Sequence, residues 1–582
     1  MISPSILTPN LRTHISTKRT HGPHRIPQTA PARNIHASKP HPTASLPRPT
    51  DSNQTRITDI LQLDVLERLK AFLMASEAAQ LQYETAWVVT NIAAGNTPQT
   101  QAIVDAGFID TLLLSLGTKG ALSLKTQVAW ALSNIAGESS ALREHLMHQN
   151  ALGAVVEVLN NVRHNVAAAQ DSSQVDQMAT IRARGIYADV RVLVWTVANM
   201  CRGGFKAKEM WWLYIPAFET LTEMLLLEDI EICTDACWGL SRILSNMHKV
   251  DEFLDHLKFS PRLCPRLVEC CCSNNINLQT PALRTIINIA SGPNQHISTL
   301  LEAHPFPTLI LFLDNQNSPG LRRDALLTIA NIAAGDEKHV ACVLDFPGLM
   351  DRVEEMVSVV GSEPEGEDID DEDLGMGTSR RRYRRGRHDD GDEEEEWKVV
   401  QEAVWIVSNV TSLGSVQKVG ELLHTHPLLP RRLTYLIQHQ QTPTMTLIKA
   451  LDAITNIISR TQPPHLPEFV HLGALETAML IGKRGGRGSL GVVERCEALV
   501  EKSMQVTGGD VTQLVDGMNG NVSIEMVPRR LSLLQQQEQR RALAEKEARR
   551  RSAGTSLGGE LDGDVMWVEE AVGRMSILGK EG

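Results

Sequence analysis

Tryptophan and asparagine recur four residues apart along this chain. Trp87 and Asn91, Trp130 and Asn134, Trp195 and Asn199, and Trp405 and Asn409 are complete pairs. Trp238 keeps the first position alone, and Asn288 and Asn331 keep the second. On a helix this separation puts both side chains on one face, one turn apart. Repeated from helix to helix, they form a ladder of indole rings and carboxamides. A carboxamide carries donors and an acceptor, so it can bond the main chain of an extended peptide without reading its side chains. Indole faces suit the methylene stem of Lys or Arg, and a cation over a ring gains ~0.5–2 kcal/mol. Carboxylates at the slot ends would select positive charge. The chemistry is non-covalent capture of a stretched cationic segment. The competing reading of the Asn ladder is hydrogen bonding between the repeats themselves.

The elements that must carry this ladder repeat. Trp87 lies 43 residues before Trp130, and Trp195 lies 43 before Trp238. A helical period of about 40–47 residues marks an armadillo or HEAT solenoid. One unit is legible in detail. Val128, Ala131, Leu132 and Ile135 mark a helix, with Gly137 as its expected C-terminal cap. A short helix follows through Leu142 and Leu146, then a turn at Asn150, then a helix carrying Leu152, Val155, Val156 and Leu159. None of these could bury its apolar face alone, so stability must come from stacking. The expected fold is all-α: a right-handed superhelical armadillo solenoid over residues 57–505. Leu61, Val65, Leu66, Leu69 and Leu73 open it at helical spacing. Stacked helices lie ~8–10 Å apart and two residues of extended chain cover about 6.6 Å, so one or two peptide residues would meet each repeat.

Composition narrows the partners. The 582 residues carry 57 basic and 69 acidic side chains, a net charge of −12. Such a chain is a poor general nucleic-acid binder and suits a cationic partner. No apolar run is long enough for a membrane-spanning helix. The nine cysteines follow no paired framework, and Cys270-Cys271-Cys272 has no partners at ligand spacing, so neither a metal nor a disulfide scaffold is expected. Residues 1–56 read as a disordered basic tail and 506–582 as a mostly disordered polar region, with a helix over 531–551. Two insertions break the period, at about 161–189 and 361–396, and both read as disordered. The second runs acidic, then basic over 380–387 (Arg-Arg-Arg-Tyr-Arg-Arg-Gly-Arg), then acidic again. A tethered basic run has an effective concentration near the millimolar range, so it is a candidate for masking the groove.

The chain resembles the importin alpha (karyopherin alpha) family of nuclear import adaptors over about residues 60–505. The resemblance rests on Ala86-Trp87-Val-Val-Thr-Asn91-Ile-Ala-Ala-Gly95-Asn-Thr-Pro-Gln-Thr100 and Trp130-Ala-Leu-Ser-Asn134-Ile-Ala-Gly137-Glu138. It continues through Val194-Trp195-Thr-Val-Ala-Asn199, Asp235-Ala-Cys-Trp238, Arg284-Thr-Ile-Ile-Asn288 and Glu402-Ala-Val-Trp405-Ile-Val-Ser-Asn409. It implies binding of basic nuclear localisation signals at two places. The major site would comprise Trp87, Asn91, Thr100, Gln127, Trp130, Asn134, Glu138, Trp195, Asn199, Asp235 and Trp238. The minor site would comprise Asn288, Asn331, Glu402, Trp405 and Asn409. Leu327 stands where the family has Trp, which predicts a weaker minor site. Arg242 replaces a neutral side chain and is expected to repel cargo or pair with Asp235. Importin beta is the family's partner through a basic N-terminal helix; the prolines and missing Glu of residues 1–56 argue against that helix. An export receptor is a further candidate partner, and shuttling between cytoplasm and nucleus is the implied location.

Two other function classes compete. An armadillo interaction scaffold outside transport would hold acidic partners in a basic groove, so the sign of the groove separates the two. An enzyme would need a P-loop, a metal-ligand motif or a nucleophile elbow, and none is present. No catalysis and no cofactor are expected.

Overall fold

The computed structural model describes residues 57–171, 185–203, 208–245, 259–315, 318–358, 390–461, 465–485 and 489–506; among these, every regular element is a helix. Helices α1 (Leu66–Leu73) and α2 (Ala79–Ala93) open the stack. The next three show how the sequence builds one unit. Helix α3 (Thr97–Asp105) starts at a capping box: Asn96 accepts from the Gln99 amide and Gln99 accepts from the Asn96 amide, both at 3.1 Å. This reciprocal pair satisfies two donors that a helix start leaves open. Gly107 then turns the chain at φ 73° into α4 (Phe108–Gly117). Helix α5 (Leu122–Glu138) closes the unit, with Val128, Leu132 and Ile135 fully buried.

The same plan recurs as α6 (Ser140–His148), α7 (Ala151–Asp171) and α8 (Ile186–Met200), then α9 (Tyr214–Met224) and α10 (Ile230–Leu244) after a 3-10 turn at Lys208–Leu213. Helices α11 (Leu263–Cys271) and α12 (Ile276–Ala290) follow. The next two units are α13 (Asn294–Glu302), α14 (Phe306–Leu313) and α15 (Pro319–Ala333), and α16 (Glu337–Asp345), α17 (Leu349–Met356) and α18 (Asp390–Leu413). The last two are α19 (Val416–Thr425), α20 (Leu429–Gln438) and α21 (Thr444–Thr461), and α22 (Leu466–His471), α23 (Ala474–Lys483) and α24 (Leu490–Val506). In five units the turn between the first and second helix takes positive φ. Gly107, Gly348 and Gly473 supply it freely, and Asn150 and His304 adopt it at 57° and 50°.

The long third helices, α2, α5, α8, α10, α12, α15, α18, α21 and α24, each pack on the next. Their apolar faces join one continuous core with the shorter helices behind them. Asp229 caps α10 and also pairs with Arg191 of α8 at 2.5 Å, fixing that junction. At Gly239 a side chain would meet Leu221 at 2.5 Å, so glycine lets α10 lie close to α8 and α9.

Several expectations shift at their edges. Helix α5 runs through Gly137 and ends at Glu138, so Gly137 is no cap. The first expected insertion begins as helix, because α7 continues to Asp171. The acidic end of the second belongs to α18 from Asp390 onward. Residues 57–61 form a separate helical stretch, and Asp64 at φ 52° breaks it from α1. Residues 1–56, 172–184, 361–389 and 507–582, including the expected helix at 531–551, lie outside the described residues. Cys270 and Cys271 are buried against α10, while Cys272 is exposed.

Candidate peptide-binding groove

Each long helix leaves only a narrow stripe open. On α5 that stripe is Ser123, Trp130 and the partly open Gly137 and Glu138; on α12 it is Asn277, Thr280, Arg284 and Asn288. Trp130 and Asn288 fall on these stripes, whereas Asn134, Trp195, Asn199, Trp405 and Asn409 are buried. The stacking of the long helices therefore sets the tryptophans and asparagines side by side along one face, as the four-residue spacing requires.

The asparagines do more than line this face. Asn134 donates to the Thr90 carbonyl at 3.0 Å, Asn199 to the Ser133 hydroxyl at 3.1 Å, and Asn288 to the Ser241 carbonyl at 2.8 Å. Asn331 reaches Ser291 at 2.8 Å and Asn409 the Ala330 carbonyl at 2.9 Å. Every one of these bonds runs back to the preceding long helix, so the ladder is a register pin between repeats. Asn91 has no such long helix before it and bonds its own Trp87 carbonyl. Asn288 also donates to the Ser241 hydroxyl at 3.1 Å, while the other amides keep a second hydrogen. Asn134 Oδ1 is buried without a partner, as are Trp238 Nε1, Trp405 Nε1 and Glu402 Oε2. Four orphaned polar atoms on one ladder are costly unless something supplies their partners.

The rungs differ in openness. Asn91 is exposed, Trp87 is half-buried and Trp130 is 42% exposed. Trp195 is only 6% exposed and stands edge-on to Trp130, with centroids 6.4 Å apart and planes at 82°. That contact fills the slot between these two rings, leaving the outer face of Trp130 as the shelf. Glu138 follows on the same stripe and accepts from the Thr97 hydroxyl. Gln127 is buried and spends its amide on Thr90 at 2.8 Å. Thr100 is fully buried, with its hydroxyl on the Ala93 carbonyl at 3.1 Å, so it does not reach the open face.

Residues 96–137 match the family model described as Armadillo/beta-catenin-like repeat. A crystal structure of an engineered protein superposes with a TM-score of 0.56 at 20% identity, covering 77% of this chain and 91% of that one. The chain is an armadillo-repeat solenoid. It is also similar to importin subunit alpha-1b of Oryza sativa subsp. japonica, 28% identical over 267 residues, 46% of this chain and 44% of that protein. A probable importin subunit alpha-A of Dictyostelium discoideum is 28% identical over 238 residues, 40% of each chain. The chain thus spans less than half the length of the curated relatives it matches.

The middle and far end of the armadillo ladder are occupied by the chain's own charges. Arg242 sits one turn beyond Trp238, its guanidinium 5.8 Å from that ring, and donates to the Ala198 carbonyl at 2.6 Å. Burial and the Arg202 charge lower its pKa to about 10, while Asp235 opposes this, and it stays charged at neutral pH. Lys449 covers Trp405 at 5.6 Å and pairs with Asp452 at 3.3 Å. Trp405 itself is 6% exposed. Glu402 is buried, and burial raises its pKa to about 8, with Asp324 adding to the rise and Arg323 opposing it. It is therefore largely protonated at pH 7 and presents no anion until a cation arrives.

Two residues on the ladder are missing from the sequence reading. Asn456 continues the asparagine register, reaching the Ser408 carbonyl at 3.3 Å; Asp452 stands in its Trp position. Asp324 occupies the register position of Asp235 and Glu402, three residues before Leu327, and is paired to Arg284 at 2.6 Å and Arg323 at 3.1 Å. Both were findable by extending the register past the tryptophans.

Proposed function

We propose that this protein is a nuclear import adaptor that binds basic nuclear localisation signals, and that the first two rungs do most of the binding. The observation that carries this is the open stripe of Trp87, Asn91, Trp130 and Glu138, with the unpartnered Asn134 oxygen between them. A lysine stem lies on the outer Trp130 face, its ammonium reaches Glu138, and the Asn91 and Asn134 carboxamides hold the peptide main chain. Similarity to importin alpha subunits supports the transport role. The C-terminal rungs contribute less: Leu327 offers no ring, Lys449 already covers Trp405, and Asp324 is neutralised by two arginines. The adaptor would shuttle between cytoplasm and nucleus, with importin beta and an export receptor as candidate partners. A scaffold role outside transport is the second reading, favoured by the arginines among the middle rungs.

The test is titration of a fluorescent lysine-rich signal peptide into the full chain. Trp130→Ala and Glu138→Lys should each weaken binding at least about tenfold, consistent with loss of one cation–π contact or reversal of one charge. Unchanged affinity in both variants, with folding intact by circular dichroism, would remove the groove from the explanation.

A further inference from the structure

Glu138 is the last residue of α5, and a glutamate at a helix end has several rotatable bonds to order before it can serve a ligand. Here it is already held. Thr97, the first residue of α3, donates its hydroxyl to Glu138 Oε1. Thr97 is exposed, yet its place is fixed by its neighbours. The Asn96–Gln99 capping box closes around it, Pro98 follows with its restricted φ, and Gln99 Nε2 donates to the Thr58 hydroxyl at 2.9 Å. A side chain at Gly95 would meet Gln99 Oε1 at 2.1 Å, so glycine lets the turn from α2 into α3 close this tightly. A β-branched side chain is also stiff at χ1. Thr97 thus offers its hydroxyl from a rigid point, and the α3 N-terminus behind it favours a carboxylate. The hydroxyl has one hydrogen and gives it to Oε1, which leaves Oε2 for a ligand. The repeat does not need this bond to fold. The unit of α16 to α18 keeps the same turn, with Gly335 close against His339 and a capping box between Asp336 and His339. There Glu337 stands where Thr97 does, and Leu413 lies as far beyond Trp405 as Glu138 lies beyond Trp130.

We propose that Thr97 is a positioning residue for the groove: its hydroxyl holds the Glu138 carboxylate by one oxygen and presents the other to the ammonium of a bound lysine. Thr97 does not touch the ligand and acts through Glu138 alone. The carboxylate is ordered before the peptide arrives, so binding does not have to order it. The ammonium then makes a charge-assisted bond to an acceptor already in place. This deepens the peptide reading above and rests on it.

The experiment is a double-mutant cycle on the full chain, read by titration of a fluorescent lysine-rich peptide, with folding checked by circular dichroism. Thr97→Val keeps the shape and the β-branch and deletes the donor; it should weaken binding about three- to fivefold. Thr97→Ala should do the same, and serves where the valine variant does not fold. Thr97→Ser keeps the hydroxyl and should bind within about twofold of the parent. In a Glu138→Ala background, already weakened, Thr97→Val should change nothing further. A role in the fold alone, or a direct contact with the peptide, would instead carry the Thr97→Val loss into that background. That outcome overturns the proposal, as does a Thr97→Ser variant that binds as poorly as Thr97→Val. If Glu138→Ala weakens binding but Thr97→Val does not, Thr97 has no positioning role and the peptide reading stands. If Glu138→Ala leaves binding unchanged, the contact between lysine and Glu138 fails and this inference falls with it.

Discussion

Replacing Glu402 with glutamine should stabilise the protein at neutral pH and do nothing at acid pH. The side chain is 7% exposed, its Oε2 has no partner, and Arg323 is the nearby cation that opposes the burial penalty. Arg323 is itself engaged with Asp324 and Glu395, so it does not neutralise Glu402 fully. Burial raises the folded pKa to about 8 from 4.5. Below pH 4.5 both folded and unfolded chains hold this proton, and Glu402 carries no penalty. Between pH 4.5 and 8 the unfolded chain releases the proton while the folded chain keeps it, so stability falls as pH rises. The slope is about 1.4 kcal/mol per pH unit, which amounts to about 3 kcal/mol by pH 7 and about 5 kcal/mol above pH 8. Glutamine has the same shape and no charge, so Glu402→Gln removes the penalty. Urea unfolding followed by tryptophan fluorescence at pH 5, 7 and 9 measures it, because Trp397 and Trp405 are buried on the same helix. Other titrations are shared by both proteins and cancel in the difference. The variant should gain little at pH 5, about 3 kcal/mol at pH 7 and more at pH 9. A difference that stays constant across these pH values would refute the buried-acid account.

Further outcomes follow from the ladder and from the second insertion. Asn134→Ala should cost about 1–2 kcal/mol in urea unfolding, because it removes a buried bond to the Thr90 carbonyl. Asn91→Ala should cost under about 0.5 kcal/mol, because its amide is exposed and bonds only its own helix, yet weaken peptide binding. Lys449→Ala should bare the Trp405 face and raise basic-peptide affinity at the C-terminal rungs about two- to fivefold; Leu327→Trp should add to it. Deleting residues 361–389 should raise the affinity for added basic peptide if the basic run at 380–387 masks the groove, read by the same titration.

The fold was legible because it is periodic. A 43-residue spacing and one well-read unit, residues 127–158, predicted helices that appear as α5, α6 and α7, with the turn at Asn150 in place. Edges were less legible. Gly137 has the residue type of a cap, but stacking on α8 holds α5 helical through it. The site was legible as a stripe, not as a distribution of accessibility. Spacing says that Trp130 and Trp195 share a face, but only packing makes one 42% and the other 6% exposed. Thr100 shows the same gap: carried over by resemblance, it is a core residue here. Nor can spacing show that Lys449, three residues before Asp452 on the next long helix, lies over Trp405.

The asparagine ladder reconciles two readings that the sequence set against each other. A carboxamide that served only a ligand would be free to rotate, and ordering it on binding would cost entropy. A carboxamide that served only the fold would have no reason to keep an orphaned oxygen, as Asn134 does. Here one amide hydrogen binds back to the preceding helix, which fixes the plane of the group and the register of the two helices together. The remaining hydrogen and oxygen are then held in place before any peptide arrives. The bond that joins one repeat to the next is the same bond that aims the rung. Arg242, which takes the asparagine position on α10, obeys the same logic, since it too bonds back to the previous helix through the Ala198 carbonyl.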